Sequence, residues 1–304
     1  MIISASYRTD IPAFYGDWLM NRLRAGFCLV RNPYGGQISR VSLSPGDIDG
    51  LVLWTKNIGP FLRHLPTLAA RGLPFVVQHS ITGYPRELER ATPPIDRVLD
   101  SAARLATAHG PRALVWRYDP ILLSSLTPLS FHLDHFGRLC ESLRGLCDEV
   151  TVSFLQVYAK SRRHLDTAAT RHGFDWRDPP LQAKRDLIEA LVPIAQSNGM
   201  RLSVCAQSEL LVPGAIAARC VDAQRLSDIA GHTIRAKARG NRAGCGCAES
   251  RDIGTYDTCP HGCAYCYAVQ NPDTARRRFQ SHHPESEFLF DPGTTHSSHS
   301  RLII

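Results

Sequence analysis

The sequence predicts an α/β protein whose core is a full or partial (β/α) barrel of the TIM type, followed by a cysteine-rich C-terminal extension. Short, almost continuously apolar segments alternate with longer helical patterns, as expected of parallel strands that are buried on both faces. Polar residues recur at the carboxyl ends of these segments, and a barrel gathers such ends at one mouth. Seven of the ten cysteines lie in the last third of the chain. An open doubly wound sheet is the alternative, with the same polar residues spread along one edge.

Six segments rich in Val, Ile, Leu or Phe are the predicted strands, and helical patterns fill the intervals between them. The strands cover residues 1–6, 51–55, 74–80, 113–117, 149–157 and 201–206. The helices cover residues 10–26, 60–71, 95–109, 128–146 and 179–197, and several are followed by a glycine. Asp10 is the predicted N-cap of the first helix, since its carboxylate can accept from free backbone N–H groups. Residues 27–43 predict a hairpin that turns at residues 33–36.

The chain divides into three predicted parts. Residues 1–232 form the barrel, with one or two short helices in residues 214–231. Residues 233–275 form a loop-rich, cysteine-rich iron–sulfur segment that we expect to pack on the barrel mouth. Residues 276–304 form a basic tail that we expect to be disordered, because its last part has almost nothing to bury.

Composition and charge exclude several classes of protein. With 43% hydrophobic and 21% charged residues, the chain is neither wholly disordered nor fibrous. No apolar run approaches the ~20 residues of a bilayer span. The N-terminus has no basic leader, so we expect a cytoplasmic protein with no membrane partner. A net charge of +7 permits a polyanionic partner such as a nucleic acid without requiring one.

The cysteines fall into a buried group and a clustered group. Cys28, Cys140 and Cys147 lie in apolar periodic segments and are expected to be small core residues. Cys259, Cys263 and Cys266 have the spacing C-x3-C-x2-C, which suits three corners of a cubane [4Fe–4S] cluster and leaves the fourth iron open to a small molecule. A zinc site is the alternative, with His261 or a distant cysteine as fourth ligand, although His261 is expected to point outward.

The segment Cys-Pro-His-Gly-Cys-Ala-Tyr-Cys-Tyr at residues 259–267, with Tyr265 directly before the third cysteine, resembles the signature of radical S-adenosylmethionine (SAM) enzymes. The resemblance implies that the open iron chelates SAM and that one electron cleaves it to a 5′-deoxyadenosyl radical. It implies a six-stranded partial barrel and a flavodoxin- or ferredoxin-like electron donor, with Tyr265 beside the cofactor. In that superfamily the motif normally follows the first strand, whereas here it lies near the C-terminal end.

A second resemblance covers residues 2–270. It is carried by Ser-Tyr-Arg-Thr-Asp-Ile-Pro-Ala-Phe-Tyr at residues 6–15, Leu-Trp-Thr-Lys-Asn at 53–57, Trp-Arg-Tyr-Asp-Pro at 116–120, Cys-Gly-Cys at 245–247 and the Cys259 loop. These segments are similar to a bacterial family described as domain of unknown function 1848. The family implies a C-terminal cysteine cluster but supplies no reaction. Gln207 stands where we expect Glu in relatives.

Four further cysteines match the ligand count of a closed metal site: Cys205, Cys220, Cys245 and Cys247. A second iron–sulfur cluster, a structural zinc ion and unligated thiols are the three interpretations. Cys245 and Cys247 are separated by one glycine, which suits a tight turn.

Polar residues at the predicted strand ends are the remaining candidates for the site. Arg8, Lys56 and Arg117 are cations suited to a carboxylate of SAM or to an anionic substrate. Asp10 and Asp119 are suited to orient those cations or to bind a ribose. Uncharged side chains suited to adenine or ribose are Asn57, Gln78, Ser153 and Gln207. The plainer interpretation of each is a helix cap or a loop ion pair.

A different class of function uses the basic charge instead. The run Arg276, Arg277 and Arg278, together with a zinc or structural iron–sulfur site, would suit a nucleic-acid-binding or electron-transfer protein without SAM chemistry. A radical SAM enzyme of unknown substrate is the main hypothesis.

Overall fold

The fold is organised around a parallel β-sheet with helices in the connections. The computed structural model describes residues 1–240, 242 and 244–290. The strands are β1 (Ile2–Ala5), β2 (Phe27–Arg31), β3 (Ile38–Ser42), β4 (Gly50–Thr55), β5 (Phe75–Ser80), β6 (Leu114–Ile121), β7 (Leu123–Ser124), β8 (Glu149–Phe154), β9 (Trp176–Arg177), β10 (Arg201–Val204), β11 (Ile216–Ala217) and β12 (Ser250–Asp252). The α-helices are α1 (Ile11–Phe14), α2 (Gly16–Ala25), α3 (Leu65–Ala70), α4 (Ile95–His109), α5 (Leu129–Leu143), α6 (Ala159–His172), α7 (Leu181–Ser197), α8 (Ala223–Ala230) and α9 (Pro272–Gln280). Short 3-10 turns cover Gly59–His64, Pro111–Ala113 and Ser208–Leu210.

The eight strands of the main sheet lie in the order β11-β10-β8-β6-β5-β4-β1-β12, and every neighbouring pair is parallel. The six strands predicted from the sequence form the centre of this sheet, which confirms the α/β class. Two edge strands were not predicted, because β11 and β12 have only two and three residues. Among the residues that the structure describes, no strand pairing joins β11 to β12, so the sheet is not a closed TIM barrel.

The two faces of the sheet are both buried, which explains the continuous apolarity of its strands. One face, including Ile3, Leu51 and Trp116, belongs to the large core shared with the helices. The opposite face, including Ile2 and Val52, belongs to a smaller core with Cys220, Val221 and Leu226 among its other members. Helix α8 therefore covers part of the second face.

The predicted hairpin and the first predicted helix have clear outcomes. Strands β2 and β3 pair antiparallel from Phe27 to Ser42, as predicted. Asp10 caps α1, and its Oδ1 accepts from Ala13 N at 2.9 Å. The single predicted helix is divided at Tyr15 into α1 and α2. The three core cysteines are buried in the large core as expected: Cys28, Cys140 and Cys147.

The segment after residue 275 differs from the expected disordered tail as far as residue 290. Helix α9 begins at Pro272, and the chain then returns to α2, where Trp18 Nε1 donates to Ser286 O at 2.8 Å. Leu289 is 2% exposed and belongs to the large core. The sequence prediction followed the basic run at residues 276–278 and overlooked the apolar residues that come after it. The rest of the predicted tail, residues 291–304, lies outside the described residues. No helix of the described chain has the length and apolarity needed to cross a membrane.

A buried ion-pair network joins α8 to the amino ends of two strands. Arg225 is 2% exposed and donates to Asp148 Oδ1 and Glu149 Oε2, each at 2.7 Å, and to Arg112 O at 3.1 Å. Arg201 approaches the same Glu149 oxygen at 3.5 Å from an exposed position. Arg225 is therefore the principal buried cation for Glu149.

Replacing Arg225 tests whether this network stabilises the sheet. Arg225→Met leaves Glu149 buried without that cation, so we expect the free energy of unfolding to fall by about 3 kcal/mol or more. Arg201→Met removes the exposed partner of the same carboxylate and is expected to cost about 1 kcal/mol at most. Urea unfolding followed by circular dichroism measures both. Equal losses for the two variants would contradict the assignment of Arg225.

Candidate functional site

The carboxyl ends of the central strands form one connected polar region. Its hydrogen bonds include Lys56 N to Asp10 Oδ2 (2.7 Å), Lys56 Nζ to Thr82 Oγ1 (3.2 Å), Arg117 Nη1 to Gln78 Oε1 (3.2 Å), Ser153 Oγ to Asp119 Oδ1, and Phe154 N to Gln207 Oε1 (2.7 Å). These bonds link residues that follow or end β1, β4, β5, β6, β8 and β10. Most of the predicted site residues are therefore brought together at this end of the sheet.

The first cysteine loop, residues 259–266, reaches this end from β12. The backbone of Cys263 bridges that of Glu89, and Ala264 N donates to Leu88 O at 2.9 Å. The three thiols of the loop are half-buried. Burial raises the pKa of Cys263, the nearby Lys56 ammonium lowers it, and the Cys259 and Cys266 thiols raise it further. The pKa of Cys263 is raised overall.

A buried carboxylate attaches this loop to β4 and β5. Glu89 is 3% exposed, and its Oε1 accepts from Lys56 Nζ at 2.8 Å, from Thr82 Oγ1 and from the Tyr265 hydroxyl. Burial alone would raise the pKa of Glu89, but Lys56 and these hydrogen bonds hold it below its usual value. Tyr265 therefore serves as an anchor of the cysteine loop, and its ring also lies 5.6 Å from the Lys56 ammonium.

His261 lies inside the protein, which corrects the expectation that it points outward. Its exposure is 3%, and its Nε2 contacts Asp10 Oδ2 at 2.8 Å. Its ring packs against Phe14 at 4.6 Å between centroids. The cysteine loop packs here against the N-terminus of α1, which buries His261, and Asp10 is the polar partner of its ring. With Nε2 directed to Asp10, His261 is a positioning residue for the loop.

A second carboxylate joins β12 to β1 just before the loop. Asp252 accepts from Ser4 Oγ at 2.8 Å, from Ser6 Oγ at 2.7 Å and from Tyr7 N at 3.1 Å. Arg8 Nε lies 3.7 Å from the same carboxylate. Its guanidinium lies 5.5 Å from the Tyr7 ring and 5.4 Å from the ring of Tyr256 in the following loop. Asp252 therefore fixes the point from which the cysteine loop leaves the sheet.

The four remaining cysteines of the C-terminal third also come together. Cys205 Sγ lies 3.5 Å from Cys220 Sγ, and further side-chain contacts join Cys220 to Cys247 and Cys247 to Cys245. The contact with Cys205 lowers the pKa of Cys220, but Cys247 and burial raise it to about 11 overall. Arg117 Nη1 donates to Cys220 Sγ at 3.0 Å. This set, which we call the second cysteine set, lies at the same end of the sheet as the loop.

The donor chemistry of both sets suits iron–sulfur clusters, which proteins bind through cysteine sulfur. Within the described part of the chain, no group of three or more His, Cys, Asp and Glu side chains is arranged to hold one metal ion. A cubane cluster makes a different demand, because each cysteine binds a separate iron and the sulfurs need not converge on one point. Three thiols on one loop fit that demand in type and number. In the second set, the 3.5 Å between the Cys205 and Cys220 sulfurs suits two ligands of one metal atom, which lie about 3.8 Å apart in a tetrahedral site.

Two residues predicted to bind a cofactor make hydrogen bonds to the backbone of the strand ends. Asn57 Oδ1 accepts from Gly59 N at 3.2 Å at the start of a 3-10 turn. Gln207 pairs with both backbone groups of Phe154, through Oε1 at 2.7 Å and Nε2 at 3.2 Å. Each is occupied in holding a strand end, which is the plainer interpretation of such residues.

Three residues of this region were missed in the sequence. Glu89 lies in a loop rich in charge, Asp252 in a stretch predicted as loop, and Arg242 in a Gly- and Ala-rich stretch. Nothing in their spacing distinguishes them from solvated charges. Only the pairing of Asp252 with two serines across the sheet, and of Glu89 with Lys56, gives them a function.

A family model described as a domain of unknown function (DUF1848) matches residues 2–268. The chain belongs to this family. The DUF1848 match includes every strand of the main sheet, the second cysteine set and the whole cysteine loop, so both sets lie within the family region. The comparisons with curated proteins and with solved structures found no match.

Replacing Glu89 in the DUF1848 chain tests whether it anchors the cysteine loop. Glu89→Gln removes the charge opposite Lys56, so we expect unfolding to become easier by about 3 kcal/mol. We also expect faster thiol labelling at Cys259, Cys263 and Cys266 in the metal-free protein, measured by peptide mass spectrometry. Glu87→Gln, two residues away, is the matched control and is expected to leave labelling unchanged. Unaltered labelling in both variants would show that the loop is held by other contacts.

Proposed function

We propose that this DUF1848 protein is a radical SAM enzyme that produces a 5′-deoxyadenosyl radical at a [4Fe–4S] cluster held by Cys259, Cys263 and Cys266. The observation that carries the proposal is the position of the loop. It follows β12, which pairs in parallel with β1, so the three thiols leave the sheet at its carboxyl edge. The superfamily that the motif resembles has its cysteines after an initial strand of a parallel sheet. Here β12 comes late in the chain but lies beside β1 in space.

A partial barrel is part of this proposal. Ala248 N donates to Val221 O at 2.9 Å, which joins the segment before β12 to the segment after β11. Those segments belong to the two edges of the sheet. Ile2 of β1 and Cys220 after β11 also belong to one apolar core. These contacts favour a curved sheet whose edges approach each other around the second core.

When bound, the cluster would supply an open iron for SAM and the electron that cleaves the sulfonium. The residues of the chain prepare that position. Glu89, Thr82 and Lys56 hold Tyr265 and thereby fix the third cysteine. Lys56 also opposes the rise in the pKa of Cys263 that burial and Glu89 cause.

Arg8 is the cation that we assign to the carboxylate of SAM or of an anionic substrate. Lys56 is engaged by Glu89 and Arg117 by Asp119, whereas the Arg8 Nε has no hydrogen bond, its Nη1 reaches Gly254 O at 3.5 Å, and its guanidinium lies over the Tyr7 and Tyr256 rings. An arginine fork stacked in this way is oriented for a carboxylate. The Asp252 carboxylate, whose Oδ1 lies 3.7 Å from Arg8 Nε, balances the positive charge of Arg8.

The proposal includes a cytoplasmic location, a flavodoxin- or ferredoxin-like electron donor, and a second iron–sulfur cluster or a zinc ion at the second cysteine set. The net charge of +7 suits an acidic electron donor and also a nucleic-acid substrate.

Anaerobic reconstitution with iron and sulfide tests the reaction. We expect bound iron, a visible iron–sulfur spectrum and formation of 5′-deoxyadenosine from SAM under dithionite. Cys263→Ala is expected to reduce this product at least 100-fold, because one of the three cluster ligands is lost. Cys147→Ala, in the core, is the matched control and is expected to retain the product.

Two outcomes would overturn the proposal. One is an unchanged yield of 5′-deoxyadenosine in Cys263→Ala. The other is a protein that takes up zinc in place of iron and binds single-stranded nucleic acid with an affinity that falls as salt rises, which is the behaviour of a nucleic-acid-binding metalloprotein.

A further inference from the structure

Two arginine side chains face the sulfur atoms of the second cysteine set. Arg117 is 5% exposed and donates through Nη1 to Cys220 Sγ at 3.0 Å. Arg242 contacts a different cysteine of the set, and its Nη2 donates to Cys205 Sγ at 3.5 Å. A guanidinium has donors only, so in both contacts the sulfur is the acceptor.

The orientation of Arg117 is fixed by its other partners. Its Nε donates to Asp119 Oδ2 at 3.1 Å, and its Nη2 donates to the same oxygen. Its Nη1 also donates to Gln78 Oε1 at 3.2 Å. Ser153 donates to the second oxygen of Asp119. Asp119, Gln78 and Ser153 are thus positioning residues that direct Arg117 to the sulfur.

The side chain of Arg242 is oriented by Gln156. Its Nη1 donates to Gln156 Oε1 at 2.7 Å, and Gln156 also accepts from the Tyr158 hydroxyl at 2.5 Å. The side chain therefore spans from the segment after β8 to Cys205 at the end of β10.

The charge of Arg117 is compensated by Asp119, and Arg242 is exposed, yet each directs an N–H group at a cysteine sulfur. Such a hydrogen bond is stronger when the sulfur is a thiolate, as it is when bound to a metal. A hydrogen bond or a positive charge at cysteine sulfur stabilises the more negative, reduced form of an iron–sulfur cluster and so raises its reduction potential. A zinc ion has no second oxidation state on which such an effect could act.

We propose that the second cysteine set holds a redox-active iron–sulfur cluster and that Arg117 and Arg242 raise its reduction potential. The step they control moves one electron from a reduced flavodoxin- or ferredoxin-like protein to this centre, with no bond formed or broken and no proton transferred. This inference deepens the proposed function by giving the second set the role of an electron relay, but it does not depend on SAM cleavage.

A full-length variant in which Cys259, Cys263 and Cys266 are all replaced by Ala isolates the second set. After anaerobic reconstitution, its midpoint potential is measured by a redox titration followed by electron paramagnetic resonance. In this background we expect Arg117→Gln and Arg242→Gln each to shift the midpoint potential downward. Arg117→Lys keeps the charge but loses the fork, so its shift is expected to be smaller. Arg40→Gln, on β3, removes an equal charge elsewhere and is expected to cause no shift.

Each outcome bears on the inference separately from the proposed reaction. Uptake of zinc alone, absence of iron, or a Cys205–Cys220 disulfide in the isolated second set would overturn it, as would equal potentials in the Arg117, Arg242 and Arg40 variants. If Arg117→Gln does not fold by circular dichroism, the exposed Arg242→Gln decides. If the triple-alanine variant does not fold, the Arg117, Arg242 and Arg40 substitutions are compared by the same titration in the chain that keeps Cys259, Cys263 and Cys266. If the unaltered protein forms no 5′-deoxyadenosine but the Arg117 and Arg242 variants still lower the midpoint potential, the proposed function is overturned and this inference stands.

Discussion

The parallel pairing of β12 with β1 is the constraint on which the polar region depends. Only three residue pairs make this ladder, from Ile2–Ser250 to Ser4–Asp252. Asp252 strengthens it with hydrogen bonds to Ser4, Ser6 and the backbone of Tyr7. Since parallel strands share their direction, this short pairing brings a loop from the end of the chain to the same edge as residues from its beginning.

Buried charges are organised in pairs at this edge, and the hydrogen bonds of each pair reach other strands or loops, as Ser153 of β8 does with Asp119. Lys56 meets Glu89, and Arg117 meets Asp119, while Glu89 also accepts from a side chain of the cysteine loop. Removing one member of such a pair leaves an uncompensated charge, which costs more than the pair contributes. The pairs therefore specify one arrangement of the strand ends, and the thiols inherit that arrangement.

The repeated β–α pattern was sufficient to predict the central sheet, because its six strands are short, nearly continuous apolar runs separated by helical patterns. Asp10 was recognised as a cap from its local chemistry alone. The edge strands β11 and β12 were missed because two or three residues carry no periodicity. Helix α9 and the segment to residue 290 were missed because Phe279 follows the basic run 276–278 and the apolar run 288–290 is only three residues long. The cysteines were singled out from their number and spacing, whereas Glu89, Asp252 and Arg242 required the contacts themselves.

The hydrogen bond between Ser4 and Asp252 joins residues that are 248 positions apart. During synthesis on the ribosome, one edge of β1 stays unpaired until almost the entire chain has emerged, because its neighbour is made last. The cysteine loop is not complete before that moment, since Cys259, Cys263 and Cys266 follow β12, whereas Cys247 completes the second set just before it. If both sets bind metal as we propose, metal delivery is accordingly a late event of synthesis, and a chain that ends before β12 offers the delivery machinery an open strand edge and no cysteine loop.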